Sequence, residues 1–483
     1  MLSRDARTGG DIALRLVNRF GGDRVVTDRA TRALYASDST ENEPHTPRAI
    51  VYPKSVDEIR ALLEIAREAR CPVTSRVAGL NVGGLAIPAE GGIVCDLSRM
   101  NRILDVNRSE QYALVEPGVT WGDLKERLAA AGDEFVVNYP LAPPETSVLA
   151  CCLMDGLGTL TMRYGSMGEW VNGVEAVLAD GTVVRTGAAS VSPVWFSRGP
   201  LPDLTGLFIN FQGTTGIVTK LALQLWPKRR LRERVIVPAY EWAGAFEFSR
   251  RIARTGLFDE CGGFSWPAAK MLFGVAVPVG RAPAEPAIFF AVDVSADTHA
   301  ELALKRAILA DTIRGVRALG FHFDAPLDVN ALIAASPGFS QFSDLPTRLT
   351  FLIDNPGGGL TWIGAYGPMS TMEEAARDGF CVMARHGFPP LLVTRPMKGG
   401  HYAVMRFVET FRRADPADVA RIRALHAELV EVVLDAGYIP YKLPPSLVPA
   451  VMRRMDPGAR DLLQRVKAAV DAQHILNPGK LGF

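Results

Sequence analysis

From Ala49 to Pro117 short apolar runs alternate with one helical stretch, the texture of a mixed α/β region. AIVYP (49–53), CPVTS (71–75), IVCDL (93–97) and YALVEPG (112–118) read as strands. Between the first two, Ser55 with Glu58 three residues on is a capping-box signature. Val56, Ile59, Leu62, Leu63 and Ile65 give that helix an apolar face and Arg70 marks its end. A further helix opens at Thr120, with Asp123 in its first turn and Leu124 and Leu128 on the buried side. VEAVLADGTVVRTG (174–187) is two strands around Asp180-Gly181, the strongest short hairpin signal in the chain. IVTKLALQLWP (217–227) is an alternating strand ended by Pro227.

Beyond Lys228 the texture changes. Strands such as IFFAVDV (288–294) alternate with Ala- and Arg-rich helices at Thr298 to Leu319 and Met372 to His386. Pro416 to Ala436 is amphipathic, with Val419, Ile422, Leu425, Leu429 and Val432 at helical spacing. A boundary near residue 230 follows from the shift, and QHILNPGKLGF at the end reads as Pro-Gly coil.

Composition narrows the classes. The chain has 483 residues, 48% of them hydrophobic, enough for two or three domains with sizeable cores. Its 53 Lys and Arg balance 52 Asp and Glu, so no global field draws in nucleic acid, although Lys228 to Arg234 is a local basic run. No run of about 18 apolar residues suggests a membrane span, and the start leads into no apolar signal region, so cytoplasm is the expected location. The six cysteines contain no C-x-x-C pair. The adjacent Cys151 and Cys152 read as packing residues on opposite faces of a strand. Phosphate-loop, zinc-protease, nucleophile-elbow and Rossmann spacings are absent, and the seven histidines are scattered, so no metal site is expected.

SRVAGLNVGGLAIP (75–88) lies between two predicted strands. Its glycines let backbone amides turn inward as a nest for a pyrophosphate, though a surface turn reads equally well from the loop alone. The loop is followed in order by CDLSRMNRIL, YALVEPGVTWGDL, VEAVLADGTVVRTG and GLFINFQGTTGIVTK, then near the C-terminus by GYIPYK (437–442) and HILNPGKLGF (474–483). This series resembles the PCMH-type FAD-binding flavoproteins of the vanillyl-alcohol oxidase and 4-cresol dehydrogenase superfamily.

The resemblance implies an α+β chain: a two-lobed FAD-binding domain over 1–228, rejoined by 437–483, and a cap with an antiparallel sheet over 229–436. It implies FAD contacts at Arg76, Val77, Ala78, Gly79, Leu80, Asn81, Val82, Gly83, Gly84, Pro117, Gly118, Ser147, Gly156, Gly158, Ile217 and Val218. Members that bind FAD covalently use a His or Tyr that here matches Gly359 or Leu360, so dissociable FAD is expected, with Tyr366 the sole candidate otherwise. Of the groups that hold a phenolate in phenol-oxidising members, Tyr441 is kept and Lys442 stands for an arginine, while Val82, Thr159 and Leu141 or Ala142 depart from the pattern.

Around the expected flavin face the chain offers Arg395, Lys398 and Arg406 for substrate, and Tyr441, Lys442 and His401 for catalysis. Alternation along HYAVMRFVETF aims His401, Ala403 and Met405 at one face. There His401 reads either as a satisfied core histidine or as a general base. Hydride transfer from a small alcohol, benzylic or phenolic substrate is the expected reaction. A 2-hydroxy-acid dehydrogenase, or a flavin subunit passing electrons to a cytochrome, are the alternatives. A second copy of the chain is a further partner consistent with this reading.

Overall fold

The computed structural model describes residues 4–80, 82–89, 91–272, 277, 280–282, 284–335 and 355–483. The first lobe is a four-stranded sheet of β1 (Val25–Val26), β2 (Ala49–Val51), β3 (Val73–Arg76) and β4 (Ile93–Asp96), in the order β1-β2-β4-β3. β2, β4 and β3 run parallel. The crossover from β2 to β3 is helix Val56–Glu68, capped by the Ser55 hydroxyl, which accepts from the Glu58 amide. Its buried Ile59, Leu62, Leu63 and Ile65 are the apolar face read from the sequence.

The second lobe is antiparallel. β5 (Ile103–Asn107), β6 (Tyr112–Val115), β8 (Val171–Val177), β9 (Val183–Arg185) and β10 (Ile217–Gln224) lie in the order β5-β6-β10-β8-β9. The Asp180-Gly181 turn joins β8 to β9. β7 (Phe135–Val136) and β11 (Trp226–Pro227) form a separate short ribbon. Helix Trp121–Ala130 starts on a complete capping box between Thr120 and Asp123.

An eight-stranded antiparallel sheet follows: β12 (Leu231–Ala239), β13 (Glu260–Ser265), β14 (Ile288–Ala296), β15 (Leu327–Asp328), β16 (Gly358–Gly367), β17 (Leu392–Met397), β18 (Tyr402–Arg412) and β19 (Ile439–Pro440). Its order is β15-β12-β14-β13-β17-β18-β16-β19. Helices Trp242–Arg254, His299–Arg317, Met372–Arg385 and Pro416–Asp435 pack on one face, burying Val292, Phe290, Cys261, Met405 and Phe407. Alternation sends Glu260, Phe264, Asp293, Arg395 and Arg406 to the other face. The mixed α+β architecture expected from the sequence is present. No helix among the described residues is long and apolar enough to cross a membrane.

Three local readings differ from the sequence. Cys151 and Cys152 sit on a short helix, Val148–Leu153, because Ser147 caps it through the Ala150 amide. Four of the five cations in the basic run at 228–234 are paired within the fold: Lys228 with Asp133, Arg229 with Glu301, and Arg232 and Arg234 with Asp293. β18 begins one residue after His401.

The segment before β2 is pinned to the large sheet by a buried charge cluster. His426 on helix Pro416–Asp435 lies between Glu41 (Nδ1 to Oε1, 3.3 Å) and Glu409 on β18 (Nε2 to Oε2, 3.2 Å). Burial opposes the charge on His426, but the two carboxylates outweigh it and raise the imidazole to about 10. Burial also opposes ionisation of Glu41, and His426 overcomes it, holding Glu41 down at about 2. For Glu409 burial wins, and its carboxyl rises to about 6.

The raised imidazole contributes stability that is complete below its unfolded value and is lost as pH rises through about 10. The depressed Glu41 contributes above its unfolded value and is lost as pH falls through about 2. Glu409 has the opposite sign to Glu41, favouring the fold most when protonated. His426→Leu leaves two buried carboxylates without a cation and is expected to cost about 3–5 kcal/mol near neutral pH. In urea titrations the deficit should shrink as pH is lowered toward about 5, where both carboxyls accept protons cheaply.

Candidate active site

The glycine loop begins at the carboxyl end of β3, and the turn after β4 lies beside it. Outside the carboxyl ends of parallel strands is where an open sheet leaves a crevice for ligand. Arg76, the last residue of β3, lays its guanidinium 4.1 Å from the centroid of the Tyr35 ring. Gly79 has φ +69 and folds over that guanidinium so closely that a Cβ there would lie 2.2 Å from Arg76 Nη2. Val77, Ala78 and Leu80 continue the turn, Val82 is buried beneath it, and Asn81 lies outside the described residues. The Gly84 amide donates to Asp38 Oδ2 at 2.8 Å, and its carbonyl accepts from Lys480 Nζ at 2.8 Å. Burial brings the Lys480 ammonium down to about 8, against the pull of Asp38.

The other implied FAD contacts lie on turns, a helix cap and a strand end of the second lobe. Gly118 packs against the turn after β4, its amide donating to the Met100 carbonyl. The Ser147 hydroxyl donates to the Pro117 carbonyl at 2.7 Å. Gly156 donates to the Cys151 carbonyl and Gly158 to Thr161 Oγ1. Ile217 and Val218 are buried at the start of β10. The loop before β10 is held by the C-terminal coil, where Asn477 Nδ2 donates to the Gln212 carbonyl at 2.5 Å. Gln212 Oε1 and Asn477 Oδ1 are buried there without a hydrogen-bond partner among the described residues. A crevice with a glycine turn, small residues for close approach and spare buried acceptors fits an extended flavin nucleotide.

Across the crevice stands the inward face of the eight-stranded sheet. Arg395 on β17 and Glu260 on β13 form a buried ion pair, Nη1 to Oε2 at 3.0 Å. The same Nη1 donates to the Gly158 carbonyl at 2.8 Å, joining the sheet to the FAD-binding lobe. Arg395 Nε is buried and has no partner among the described residues. These groups line a cavity of about 20 Å³ together with Leu141, Thr159, Phe264 and Arg234. Burial drives the Glu260 carboxyl up to about 7, with Arg395 opposing and Asp293 reinforcing the shift. Asp293, equally buried, is held at about 2 because Arg232 and Arg234 outweigh its desolvation.

Further along this face Arg406 Nε donates to the Tyr441 hydroxyl at 2.5 Å. The Tyr441 ring stacks on Tyr366, with centroids 4.5 Å apart. Tyr366 also lines a cleft of about 450 Å³ with Asp155, Ser166, Glu169, Arg198 and Tyr402. Its hydroxyl donates to the Asp155 carbonyl at 2.6 Å. Lys442 is half-buried, in a left-handed conformation with φ +50, and its Nζ stands 5.7 Å from the centroid of the Tyr441 ring.

The structure thus gathers Arg395, Arg406, Tyr441 and Lys442, and it separates two other residues from them. Lys398 is on the turn between β17 and β18 and pairs with Glu169. His401 closes that turn with its side chain exposed. On β18 Ala403 and Met405 share a face as expected, but that face meets the helices, Arg406 faces the crevice, and His401 lies before the strand rather than on it. An exposed imidazole before the strand stands outside the cavity. Glu260 went unnoticed in the sequence, although an acidic residue in the small and apolar strand ECGGFS is a signal, since a buried carboxylate needs a partner.

Residues 47–187 match the sequence family described as FAD binding domain. Over 99% of its length the chain superposes on p-cresol methylhydroxylase with substrate bound, at a TM-score of 0.87 and 21% identity, covering 97% of that chain. The chain carries a PCMH-type FAD-binding domain. 4-Ethylphenol oxidase from Gulosibacter chungangensis has the same fold, at a TM-score of 0.86 and 20% identity, with 99% and 97% of the two chains covered.

Among curated relatives, the glycolate oxidase subunit GlcD of Bacillus subtilis is 32% identical over 47% of each chain. The 4-cresol dehydrogenase flavoprotein subunit of Pseudomonas putida is 32% identical over 39% of this chain and 36% of its own length. The matched segment spans about half the length of the first of these relatives. The superfamily resemblance drawn from the ordered motifs stands, and FAD is the cofactor that the domain binds.

Gly158 is a tight point of this PCMH-type crevice, since a Cβ there would lie 2.3 Å from both Asn138 O and Asn138 Oδ1. Gly158→Ala is expected to displace the Arg395 anchor and lower flavin occupancy. The ratio of flavin to protein absorbance after purification measures it, against Gly22→Ala, where the added methyl meets open space.

Proposed function

We propose that the protein is an FAD-dependent oxidoreductase acting on a small alcohol, benzylic or phenolic substrate. Residues 1–228 with 437–483 are read as the FAD-binding part and 229–436 as the cap. The observation that carries this reading is the pairing of a PCMH-type FAD crevice with an opposed sheet face bearing Arg406–Tyr441 and Arg395–Glu260. The bound FAD supplies a two-electron acceptor for a hydride. The protein's own groups bind and orient. Tyr441, with its hydroxyl already fixed by Arg406, binds the polar end of the substrate, and Lys442 adds a nearby cation. Burial of the face between sheet and lobe excludes water and strengthens these contacts.

FAD is read as dissociable. Gly359 and Leu360 offer no nucleophile, and Tyr366, the remaining candidate, has its hydroxyl bonded to Asp155 and its ring stacked on Tyr441. Acid precipitation should leave a yellow supernatant; a yellow pellet would show a covalent bond.

A 2-hydroxy acid is the second substrate reading. It is favoured by similarity to the glycolate oxidase subunit and to the probable mitochondrial D-lactate dehydrogenase of Danio rerio, 31% identical over 44% of this chain and 42% of its own length. Similarity to a flavoprotein subunit keeps a cytochrome-type partner in view. Anaerobic bleaching of the flavin by a panel of alcohols, alkylphenols and 2-hydroxy acids sorts the substrates. If no member of the panel bleaches it, the oxidoreductase reading is wrong. Recolouring by a cytochrome but not by air would identify a protein acceptor.

For whichever substrate bleaches the flavin, Tyr441→Phe should weaken binding by about 1.5–3 kcal/mol, the worth of a hydrogen bond to a charged or strongly polarised partner. The effect appears as a dissociation constant raised at least about tenfold in titrations of bleaching.

A further inference from the structure

Resting on the oxidoreductase reading, we infer that Glu260 takes the hydroxyl proton of the substrate and that Arg395 Nε holds the same oxygen. A hydroxyl being oxidised needs one acceptor for its hydrogen and benefits from one donor to its oxygen as charge develops there. The cavity supplies one of each on neighbouring strands. The Glu260 carboxylate accepts from Arg395 Nη1 and, through Oε1, from the Cys261 amide, and carboxylate oxygens retain further lone pairs. Arg395 Nε–H is buried and unpartnered among the described residues. Its other contact, with the Gly158 carbonyl, keeps the guanidinium in place without consuming Nε.

The dimensions agree. A space of about 20 Å³ takes one water-sized group, the oxygen of an alcohol, and no more. Gly262, on the same face of β13, helps leave that space open. The remainder of the substrate must therefore extend out of the cavity.

The chemistry balances. The O–H bond breaks and its proton passes to the Glu260 carboxylate, while bound oxidised FAD would supply the acceptor for the C–H hydrogen and its electron pair. A C=O bond forms, and its oxygen stays within reach of Arg395. Afterwards Glu260 is neutral and returns its proton to solvent when product leaves.

The charged and titratable surroundings of Glu260 support a group that works near neutral pH. Arg395 from β17 and Arg234 from β12 favour its ionised form, Asp293 from β14 opposes it, and the Cys261 thiol is itself pushed up by burial. Arg163, on helix Thr161–Tyr164, is paired with Asp259 beside it. The balance leaves the carboxyl at about 7, able both to accept and to return a proton. Exposed His401 has no such setting.

The test compares wild-type holoenzyme, Glu260→Gln and Arg395→Met. In substrate-free holoenzyme, infrared difference spectra between pH 5 and 9 should show, beside the Glu409 carboxyl titrating near 6, a protonated carboxyl band titrating near 7 that is absent in Glu260→Gln and shifted to higher pH in Arg395→Met. Flavin bleaching by the best alcohol should slow about 10²–10⁴-fold in Glu260→Gln and lose its inflection near pH 7, with FAD content unchanged. Arg395→Met keeps the Glu260 carboxyl and replaces the guanidinium with a neutral chain, so its infrared titration, which needs no flavin turnover, is a second measurement if Glu260→Gln fails to fold. If wild type is bleached, and the Gln variant keeps the wild-type rate and inflection or the Met variant leaves the inflection in place, the assignment of Glu260 falls alone. If no substrate bleaches the wild type, the oxidoreductase reading falls and takes this assignment with it.

Discussion

One guanidinium spans the crevice. Arg395 reaches from a cap-sheet strand to the Gly158 carbonyl in the FAD-binding lobe while neutralising Glu260 on the next strand. A buried arginine is tolerated where its charge is paired and hydrogen-bonded, which Arg395 achieves through Nη1, so the gap between sheet and lobe is fixed at the length of that side chain. Glycine at 158 follows from the same constraint. The Gly158 carbonyl must face the arginine, while the space where a side chain would stand is filled by Asn138.

The cap sheet serves two environments through period-two alternation. Phe290, Val292 and Met405 close against helices, where dispersion and apolar burial hold them. Asp293, Glu260 and Arg406 face the crevice, where each charge finds its partner on an adjacent strand or element. Asp293 and Glu260 are directly opposed across β14 and β13, and they settle at different protonation states because Arg232 and Arg234 both bond Asp293 and outweigh its burial, whereas on Glu260 burial outweighs the pull of Arg395 and Arg234. Two carboxyl groups a strand apart thus acquire different chemistry from the balance of burial and bonded cations.

Local chemistry made much of the first half legible. Ser55 and Thr120 announce their helices, Asp180-Gly181 announces its hairpin, and the ordered glycine motifs point to FAD. The large sheet was less readable because both of its faces are buried, so β13 and β14 lack the polar-apolar alternation of a surface strand. His401 fell outside the strand because β18 starts only at Tyr402, and period-two alternation carries no information about where a strand begins. Glu260 was missed because its importance comes from Arg395, 135 residues away. Cys151 and Cys152 went to a helix for lack of any strand partner, with the Ser147 cap deciding the local structure.

The glycine loop at 76–84 belongs to the early part of the chain, yet the lysine that holds its carbonyl lies 396 residues beyond Gly84. The same terminal stretch contains the fully buried pair Lys467–Asp471, whose ammonium also reaches the Thr214 and Leu476 carbonyls. Closing a loop of that length carries an entropic cost that only the assembled lobe can meet. The glycine loop, made early, thus lacks this fastening until the stretch that carries Lys480 has been made and has folded against it.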